Sequence, residues 1–528
     1  MNFSDSLIIG IVFGGILSGW MLSLVCIRML GILQQEGYAS KPFLKWCFKK
    51  GNLEERRLVL LTISLALLVA LFNLCFCFWD YKIANLISVV PFAGWIAFYF
   101  ISERKRALKV KTVSTPRMIR LAVCNLFFLI LISCGLGFAC AAASLAIDKS
   151  WYYLFRFVYF ALLPLVLPLV IALSNTVMKA YEIPHTKKYL KKAKKLFAES
   201  SCKIVGITGS FGKTSVKNYA YTILSHKFRV IATPASYNTP LGISKAVNMN
   251  GLDCDIFLAE MGARKTGDIK ELCDLVNPEY GVVTGVCCQH LESFGSLENI
   301  QKEKGVLAKR AEKVVLGSSV TAEKEGALKE GVDFAAEDIE LTADGTKFTL
   351  RIKDEKVPVQ TALLGRHAAE DIALAAALSF LLGMTIEEIA AGIEAIEPVP
   401  HRLQKIEANG VTILDDSYNS NVEGAKVAVE TLKLFGGRKF VVTPGLVELG
   451  LIEAKKNEEL GALFTGLDGV ILVGETRVLP LRSGYLSAGG EEDKVTMVPS
   501  LHKAQQYLAT VLSAGDTVLF LNDLPDKY

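Results

Sequence analysis

The sequence predicts a multi-pass α-helical membrane domain followed by a doubly wound α/β domain, and three observations support that prediction. Mean hydropathy is +0.36, which is high for a soluble enzyme. The apolar excess is concentrated before about residue 180, in stretches that are each long enough to cross a bilayer. After that point the chain changes character, and a buried strand, a glycine-rich turn and a helix follow one another from residue 202.

Five uncharged stretches each reach the length of about 20 residues that a membrane-spanning helix needs. The first is not followed by a small-residue cleavage site and soluble chain, so it is interpreted as an anchor and not as a signal peptide. The five predicted helices are Ser6–Ile27, Leu58–Trp79, Ile83–Ile101, Leu121–Ile147 and Phe157–Met178.

Lysine and arginine alternate between the connecting loops, and this alternation predicts orientation. The loops Arg28–Arg57, Arg104–Arg120 and Lys179–Lys195 each carry seven basic residues. Between them, Asp80–Lys82 carries one and Asp148–Arg156 carries two. The N-terminus is therefore predicted to lie outside, and everything after about residue 179 in the cytoplasm.

The spans hold no ionisable side chains, so membrane anchorage alone explains them, although five apolar helices could also form a groove for a lipid. A basic linker is predicted at 181–200. Its lysine-rich stretch 187–195 repeats with helical spacing, which fits either the anionic cytoplasmic leaflet or a solvated helix face.

Composition excludes several other classes of protein. The net charge is only +5 and much of the basic charge sits beside apolar segments, so a nucleic-acid partner is not predicted. The twelve cysteines contain no C-x-x-C pair and no zinc-binding spacing, so they are interpreted as reduced packing residues.

A phosphate loop follows the predicted strand Cys202–Thr208, and a helix begins near Thr214. This arrangement directs backbone N–H groups and a helix dipole at phosphate, here from the loop residues Gly209, Ser210, Gly212 and Ser215. Lys213 is expected to reach the β- and γ-phosphates of ATP, and Thr214 to place its hydroxyl on Mg²⁺. The glycine spacing is unusual, because Ile207 stands where the common loop pattern has glycine.

A second apolar strand is predicted at Asp255–Ala259 and ends in Glu260. Ligands of a doubly wound sheet bind at the carboxyl ends of its strands. Glu260 is therefore expected beside the phosphate loop.

The stretch from Gly206 to Thr214, GITGSFGKT, resembles the ATP loop of the Mur ligases, which join amino acids or peptides to cell-wall precursors. The resemblance continues over about 330 residues and is strongest to the MurF branch, which adds D-alanyl-D-alanine. It implies an ATP-binding domain at 201–398 and a Rossmann-like α/β C-terminal domain at 399–528. The membrane domain, 1–180, takes the place of the family's UDP-binding domain.

The family's metal and substrate loops have counterparts in order along this chain. Glu260 opens a matching E-M-G-A and is implied as an Mg²⁺ ligand, while Asn238 lies in a loop similar to the family's substrate loop. His290 opens H-L-E-S-F-G-S and is implied at a second metal site. Lys304, eight residues after that motif, occupies the place of a lysine that becomes carbamylated and orients the metal.

The nucleotide side of the resemblance lies further along the chain. Asp371, after Gly365-Arg-His367, stands where the family has an adenine-side asparagine. Arg402 resembles the arginine that reaches the γ-phosphate, although His401 before it replaces a glycine. Asp416 is implied at the ribose. The closed site is implied to be shaped by Tyr418, Asn419 and Asn421 of D-D-S-Y-N-S-N.

The function expected from these features is an ATP-dependent, amide-forming ligase at the cytoplasmic face of the membrane. It would act through an acyl phosphate on a cell-wall or lipid-linked precursor and an amino acid or peptide, with cell-wall synthesis enzymes as possible partners. Three alternatives remain open: a membrane-bound polyglutamate-type synthetase, a P-loop ATPase that powers transport, and an inactive Mur-like scaffold.

Overall fold

The computed structural model describes residues 3–48, 112–146, 151–234, 237–287, 291–418, 422–447, 449–474 and 477–521, with isolated positions 63, 64, 94, 97 and 101. The chain divides into two compact units, with the boundary between residues 185 and 186. The predicted spans Leu58–Trp79 and Ile83–Ile101 lie almost entirely outside the described residues.

Helices alone form the described part of the first unit, and one of them continues into the second. Their bounds are α1 Phe3–Gln35, α2 Ser40–Cys47, α3 Pro116–Ala146 and α4 Trp151–Glu199. Among the described residues three segments are long and apolar enough to cross a membrane: Ile11–Gln35, Pro116–Ala139 and Val166–Glu199. Each of them overlaps one of the five predicted spans, the third only over residues 166–178.

Small residues let α1 and α3 approach closely. A Cβ at Gly19 would lie 2.7 Å from the backbone nitrogen of Ile130, and a Cβ at Gly15 would meet Cys134. Glycine on a helix face is the usual means of close packing between membrane helices, where apolar side chains gain little from leaving lipid. This contact therefore supports a membrane interpretation of the first unit.

The end of α4 belongs to the second unit, and the predicted basic linker 181–200 lies almost wholly in this helix. Ala193 and Phe197 are buried in the core beside the first sheet, with the Phe197 ring 5.4 Å from the ring of Phe257 in an edge-on contact. The six lysines between 187 and 195 are all exposed. The helix thus uses its small apolar face for packing and presents its basic face to the surroundings.

The first sheet of the second unit has six parallel strands in the order β2-β3-β1-β4-β5-β6. The predicted strand Cys202–Thr208 is confirmed as β1, and Asp255–Ala259 corresponds to β3. Because β1 lies between β3 and β4, the order reverses there, which is where a doubly wound sheet binds ligands. The strands are β1 Lys203–Thr208, β2 Val230–Ala232, β3 Ile256–Glu260, β4 Tyr280–Val283, β5 Lys313–Leu316 and β6 Leu328–Lys329.

Helices connect these strands on both faces of the sheet, in keeping with parallel crossovers. They are α5 Lys213–Ser225, α6 Pro240–Asn250, α7 Asp268–Val276, the short α8 Leu291–Phe294 and α9 Leu297–Arg310.

A three-stranded antiparallel sheet follows, which the sequence patterns did not predict. After it come two helices that pack on α5. The first of them is buried along most of its length, as suits its alanine-rich composition. The elements are β7 Phe334–Thr342, β8 Gly345–Ile352, β9 Glu355–Thr361, α10 Arg366–Leu381 and α11 Ile386–Glu394.

The C-terminal sheet has the order β10-β11-β15-β12-β13-β14, with β10 antiparallel to β11 and the other neighbours parallel. This is the α/β architecture expected for the last domain. Its strands are β10 Gln404–Ala408, β11 Val411–Asp416, β12 Lys439–Thr443, β13 Gly469–Val473, β14 Val495–Val498 and β15 Thr517–Leu521. Its α-helices are α12 Val422–Leu432, α13 Glu453–Ala462, α14 Val478–Ser487 and α15 Leu501–Val511, with short 3₁₀ turns at Gly450–Ile452 and Glu492–Lys494.

Candidate active site

The phosphate loop joins β1 to α5, and Gly212 is the N-cap residue that immediately precedes the helix. Its φ is +74°, a left-handed conformation that side chains rarely adopt, and a Cβ there would collide with the carboxylate of Asp371. Lys213 Nζ donates to the carbonyl oxygens of Gly209 at 2.7 Å and Ser210 at 3.1 Å. The lysine therefore folds back over the loop, where a bound phosphate would meet its ammonium group.

The loop is held by the end of β4. Ser210 N–H donates to the Gly285 carbonyl at 2.7 Å, and its hydroxyl donates to the Cys287 carbonyl at 3.4 Å. The Thr284 hydroxyl donates to the Phe211 carbonyl, and the Phe211 ring covers Gly285 so closely that a Cβ there would clash. These contacts fix the backbone before a ligand binds, which is the preorganisation that a phosphate site needs.

Glu260 ends β3 beside the loop, as predicted, and it is 1% exposed. Its Oε2 accepts from the Thr214 hydroxyl at 3.1 Å, and its Oε1 accepts from Asn238 Nδ2 at 3.2 Å. Thr214 and Asn238 therefore both contact Glu260, so three predicted site residues lie together. Asn238, predicted on the substrate side, contacts the carboxylate expected to bind metal.

The chemistry of these groups fits Mg²⁺, which prefers oxygen ligands and commonly takes one carboxylate together with substrate phosphates. Thr214 supplies a hydroxyl and Glu260 a carboxylate. Among the residues that the structure describes, no group of three or more His, Cys, Asp or Glu side chains could hold a metal ion.

Lys304 is 3% exposed on α9. Burial lowers its pKa to about 7, and the charge of Lys213 acts in the same direction. An amine with that pKa is partly neutral near pH 7, which is the form that could react with CO₂ to give a carbamate. The neighbouring Glu303 fastens α9 to the start of α7, because its carboxylate accepts from the backbone N–H groups of Gly267 at 2.8 Å and Ile269 at 2.7 Å.

Lys213 has a lowered pKa as well, of about 8, because it is buried; Glu260 opposes this shift and Arg402 adds to it. Three buried or half-buried lysines therefore come together near the loop, Lys213, Lys217 and Lys304. His290, predicted at a second metal position, lies outside the described residues.

A cavity of about 460 Å³ opens between the middle domain, predicted at 201–398, and the C-terminal domain, predicted at 399–528. Its volume lies within the range of about 300–1,000 Å³ that is typical of small-molecule and cofactor sites. Residues from the loop, α10 and the start of the C-terminal domain line it, among them Phe211, Ser215, His367, Asp371, Arg402 and Asp416.

Arg402 enters the cavity from the junction of the two domains. Its Nη1 donates to the Tyr418 carbonyl at 3.2 Å, and its guanidinium lies 4.5 Å from the centre of the Tyr418 ring. Asp416 accepts from the Leu403 backbone N–H at 3.2 Å. Arg402 and Asp416, both predicted at the nucleotide, thus line the same cavity, while Asn419 and Asn421 lie outside the described residues.

His401 precedes Arg402 and has a φ of +62°, which explains why the family has glycine there. Its Nδ1 lies 2.8 Å from Asp415 Oδ2 and 3.2 Å from the Ser417 hydroxyl. These contacts offset the backbone strain and hold the segment that carries Arg402.

Asp371 lies on α10 with its carboxylate against Gly212. It is 6% exposed, and burial raises its pKa to about 8, with a further contribution from Glu370 and Glu330. A protonated carboxyl can both donate and accept a hydrogen bond, as an asparagine amide can. The neighbouring His367 has its pKa lowered to about 4 by burial and by Arg402, and its Nδ1 has no hydrogen-bond partner among the described residues.

Lys217 is a site residue that no sequence motif indicated. Its Nζ donates to Glu260 Oε2 at 3.0 Å and to the Thr233 carbonyl at 3.0 Å. The available signal was its position four residues after Lys213 on the same helix, which places two lysines on one face.

The fold and the site together define a nucleotide-dependent α/β enzyme with a cavity between two domains. Residues 207–379 match the Mur ligase middle domain, and residues 401–522 match the glutamate ligase domain of Mur ligases.

Among curated relatives, UDP-N-acetylmuramoyl-tripeptide–D-alanyl-D-alanine ligase of Escherichia coli is 32% identical over 337 residues, which cover 59% of this chain and 74% of that protein. The MurF ligase of Thermotoga maritima, solved with ADP, is 28% identical with a TM-score of 0.58 and covers 64% of this chain and 80% of that one. Folylpolyglutamate synthase of Mycobacterium tuberculosis shares the fold alone, at 17% identity and a TM-score of 0.51, over 65% of this chain and 96% of that one.

The chain belongs to the Mur ligase family, and it is an ATP-dependent ligase of the Mur type.

Proposed function

We propose that this ligase forms an amide bond on a cell-wall precursor at the cytoplasmic face of the membrane, with Mg²⁺ as the metal. The observation that supports this best is the convergence of Lys213, Thr214 and Glu260 from the middle domain with Arg402 from the C-terminal domain. Cations and oxygen ligands so arranged suit the transfer of a phosphoryl group from ATP.

The proposed reaction has two steps. A carboxylate oxygen of the precursor attacks the γ-phosphorus of ATP, the bond to the bridging oxygen breaks, and ADP leaves. The amine nitrogen then attacks the acyl carbon, the bond to the phosphate oxygen breaks, and inorganic phosphate and a proton are released. Lys213 and Arg402 would neutralise the charge that develops on the transferred group, Arg402 by pairing bidentately with its oxygens.

The other predicted residues are assigned supporting roles in this proposal. Thr214 and Glu260 would hold Mg²⁺, which withdraws charge from the phosphate oxygens. Lys304, as a carbamate, and His290 would contribute to a second metal position. Asp416 would bind the ribose and Asp371 the adenine side, while Tyr418, Asn419 and Asn421 shape the closed site.

We propose further that the acceptor, which is the precursor whose carboxylate accepts the phosphoryl group, is lipid-linked. The relative in Escherichia coli is named for a nucleotide-linked precursor and D-alanyl-D-alanine. In this chain the family matches begin at residue 207, after a unit with three candidate membrane spans. A lipid-linked acceptor would be concentrated beside the site by the bilayer, so it needs less binding surface of its own.

The test is phosphate release by the full-length protein in liposomes, with lipid-linked or UDP-linked muropeptides and a panel of amines that includes D-alanyl-D-alanine, single amino acids and glutamate. Release should require an acceptor and an amine together, and it should be faster with the lipid-linked acceptor. Equal rates with the soluble acceptor would reduce the membrane helices to an anchor. Release that needs no acceptor would contradict the ligase assignment.

The matched variants are Lys213→Ala and Lys203→Ala, which remove one lysine each from the two ends of the same strand–loop segment. Lys203 is exposed at the start of β1, away from the loop. We expect at least about a 100-fold loss with Lys213→Ala and almost none with Lys203→Ala, since the first removes a charge that meets the transferred phosphate. Both variants should unfold at nearly the wild-type temperature.

A further inference from the structure

Lys217 is a buried lysine that the reaction described above does not use. It is 1% exposed, and in its ion pair with Glu260 both side chains are 2% exposed. Lysine is almost never fully buried unless it is paired, because an isolated ammonium group loses its hydration. The buried ammonium group of Lys217 is therefore stabilised by the carboxylate of Glu260.

The partner is the carboxylate that ends β3. The oxygen that accepts from Lys217 at 3.0 Å is the same Oε2 that accepts from Thr214 at 3.1 Å. Asn238 donates to the other oxygen, and the Glu260 backbone N–H donates to Thr233 Oγ1 at 3.1 Å. Since Lys217 also donates to the Thr233 carbonyl, both residues are fastened to one point of the neighbouring loop.

We propose that Lys217 is a positioning residue that fixes Glu260 and compensates its charge, so that a divalent cation binds there only together with the nucleotide. This inference rests on the proposed Mg²⁺ site. Lys217 is paired with Glu260 at 3.0 Å and Lys213 lies close enough to feel the same carboxylate, so two cations balance the negative charge of Glu260. A triphosphate supplies the missing negative charge and oxygen ligands.

A purely structural lysine would behave differently. Its removal would lower stability, because Glu260 would be left buried without its cation, but it would not tighten metal binding. The proposal predicts both effects, because a cation replaces the lysine as the partner of Glu260. Metal affinity without nucleotide therefore separates the two interpretations.

The experiment measures Mn²⁺ binding by electron paramagnetic resonance to the full-length protein in detergent, with and without a non-hydrolysable ATP analogue. Wild type should bind Mn²⁺ at least about 100-fold more tightly with the analogue. Lys217→Met should bind nucleotide-free Mn²⁺ at least about tenfold more tightly than wild type, the size of effect that one nearby charge has on a carboxylate. Lys217→Arg, which keeps the charge, and Lys270→Met, which removes an exposed lysine on α7, should match wild type.

Tight Mn²⁺ binding by nucleotide-free wild type would overturn the proposal, as would unchanged affinity in folded Lys217→Met. The wild-type comparison tests the nucleotide requirement without a variant, and Lys217→Gln takes the place of Lys217→Met if that variant does not fold. Failure of wild type to bind Mn²⁺ even with the analogue would instead contradict the proposed metal site itself.

Discussion

At the scale of single residues, burial changes what familiar side chains can do. Lys304 and Asp371 are both at most 6% exposed, and both are shifted toward their neutral forms, the lysine to a pKa of about 7 and the acid to about 8. Desolvation is the main cause in each case, because a charge is more costly than a neutral group in a buried site. Lys304 and Asp371, which lie near the phosphate loop, are therefore closer to their neutral forms than an exposed lysine or aspartate would be.

Asp371→Asn tests that conclusion through stability. The pKa of Asp371 is raised from 3.8 to about 8, so the folded state holds a proton that the unfolded state has lost between those values. Wild-type stability should therefore fall as pH rises from about 4 to 8, and the variant escapes this part of the fall. At pH 8 the variant should melt at least about 2 °C above wild type, and the difference should shrink toward pH 4.

Thermal unfolding of the nucleotide-free proteins measures this difference. Asp354→Asn is the matched control, because Asp354 is exposed in the turn between β8 and β9 and should show no such trend. A constant gap between Asp371→Asn and wild type at every pH would show that Asp371 is ionised in the folded protein.

At the scale of elements, local pattern was enough wherever one segment carries its own signal. The strand, loop and helix around Lys213 appear where predicted, and the alanine-rich segment forms the buried helix α10. The antiparallel sheet of β7, β8 and β9 was not predicted, because its strands carry mixed burial and are stabilised by pairing with one another. Pairing across a turn is visible only once the strands are aligned.

The tight packing of α10 leads to a prediction at the same scale. Ala376 lies in the centre of α10 and is 0% exposed, so the substitution Ala376→Leu forces extra atoms into a filled space. We expect the free energy of unfolding to fall by about 1–3 kcal/mol. Denaturant unfolding measures this, with Ala391→Leu as the control on the exposed side of α11. Equal stability of the two variants would mean that α10 is loosely packed.

At the scale of the whole molecule, hydropathy separates an apolar helical part, which holds three candidate membrane spans, from the ligase part. Three of the five predicted spans overlap those candidates, and the division into two units falls at residues 185 and 186, inside α4. Two predicted spans lie outside the described residues, so their number stays a prediction.

Topology is the prediction that belongs to this scale. In a protein whose own accessible cysteines are replaced, an impermeant thiol reagent added from outside should label Asp148→Cys, but neither Lys109→Cys nor Lys192→Cys. The reason is that basic loops remain on the cytoplasmic side. Labelling of Lys192→Cys from outside would place the ligase away from cellular ATP. Permeabilised cells, in which all three should react, serve as the control.

The sequence by itself determined the features whose physics is local. Hydrophobic stretches long enough for a bilayer, a glycine-rich loop between strand and helix, and an acid at a strand end are each written in consecutive residues. The order of the motifs also pointed to the family to which the chain belongs. These features could be predicted because each depends on neighbours within a few residues.

Only the tertiary structure decided which distant residues meet. Lys217 and Glu260 are 43 positions apart, and Asn238 and Glu260 are 22 apart, yet the side chains of Lys217 and Asn238 both bond to the buried carboxylate of Glu260. The carboxylate of Asp371 fills the space that a side chain on Gly212 would need. A sequence shows that these residues are polar, but burial, which determines their charge and their role, arises only when the sheet and α10 close around the loop.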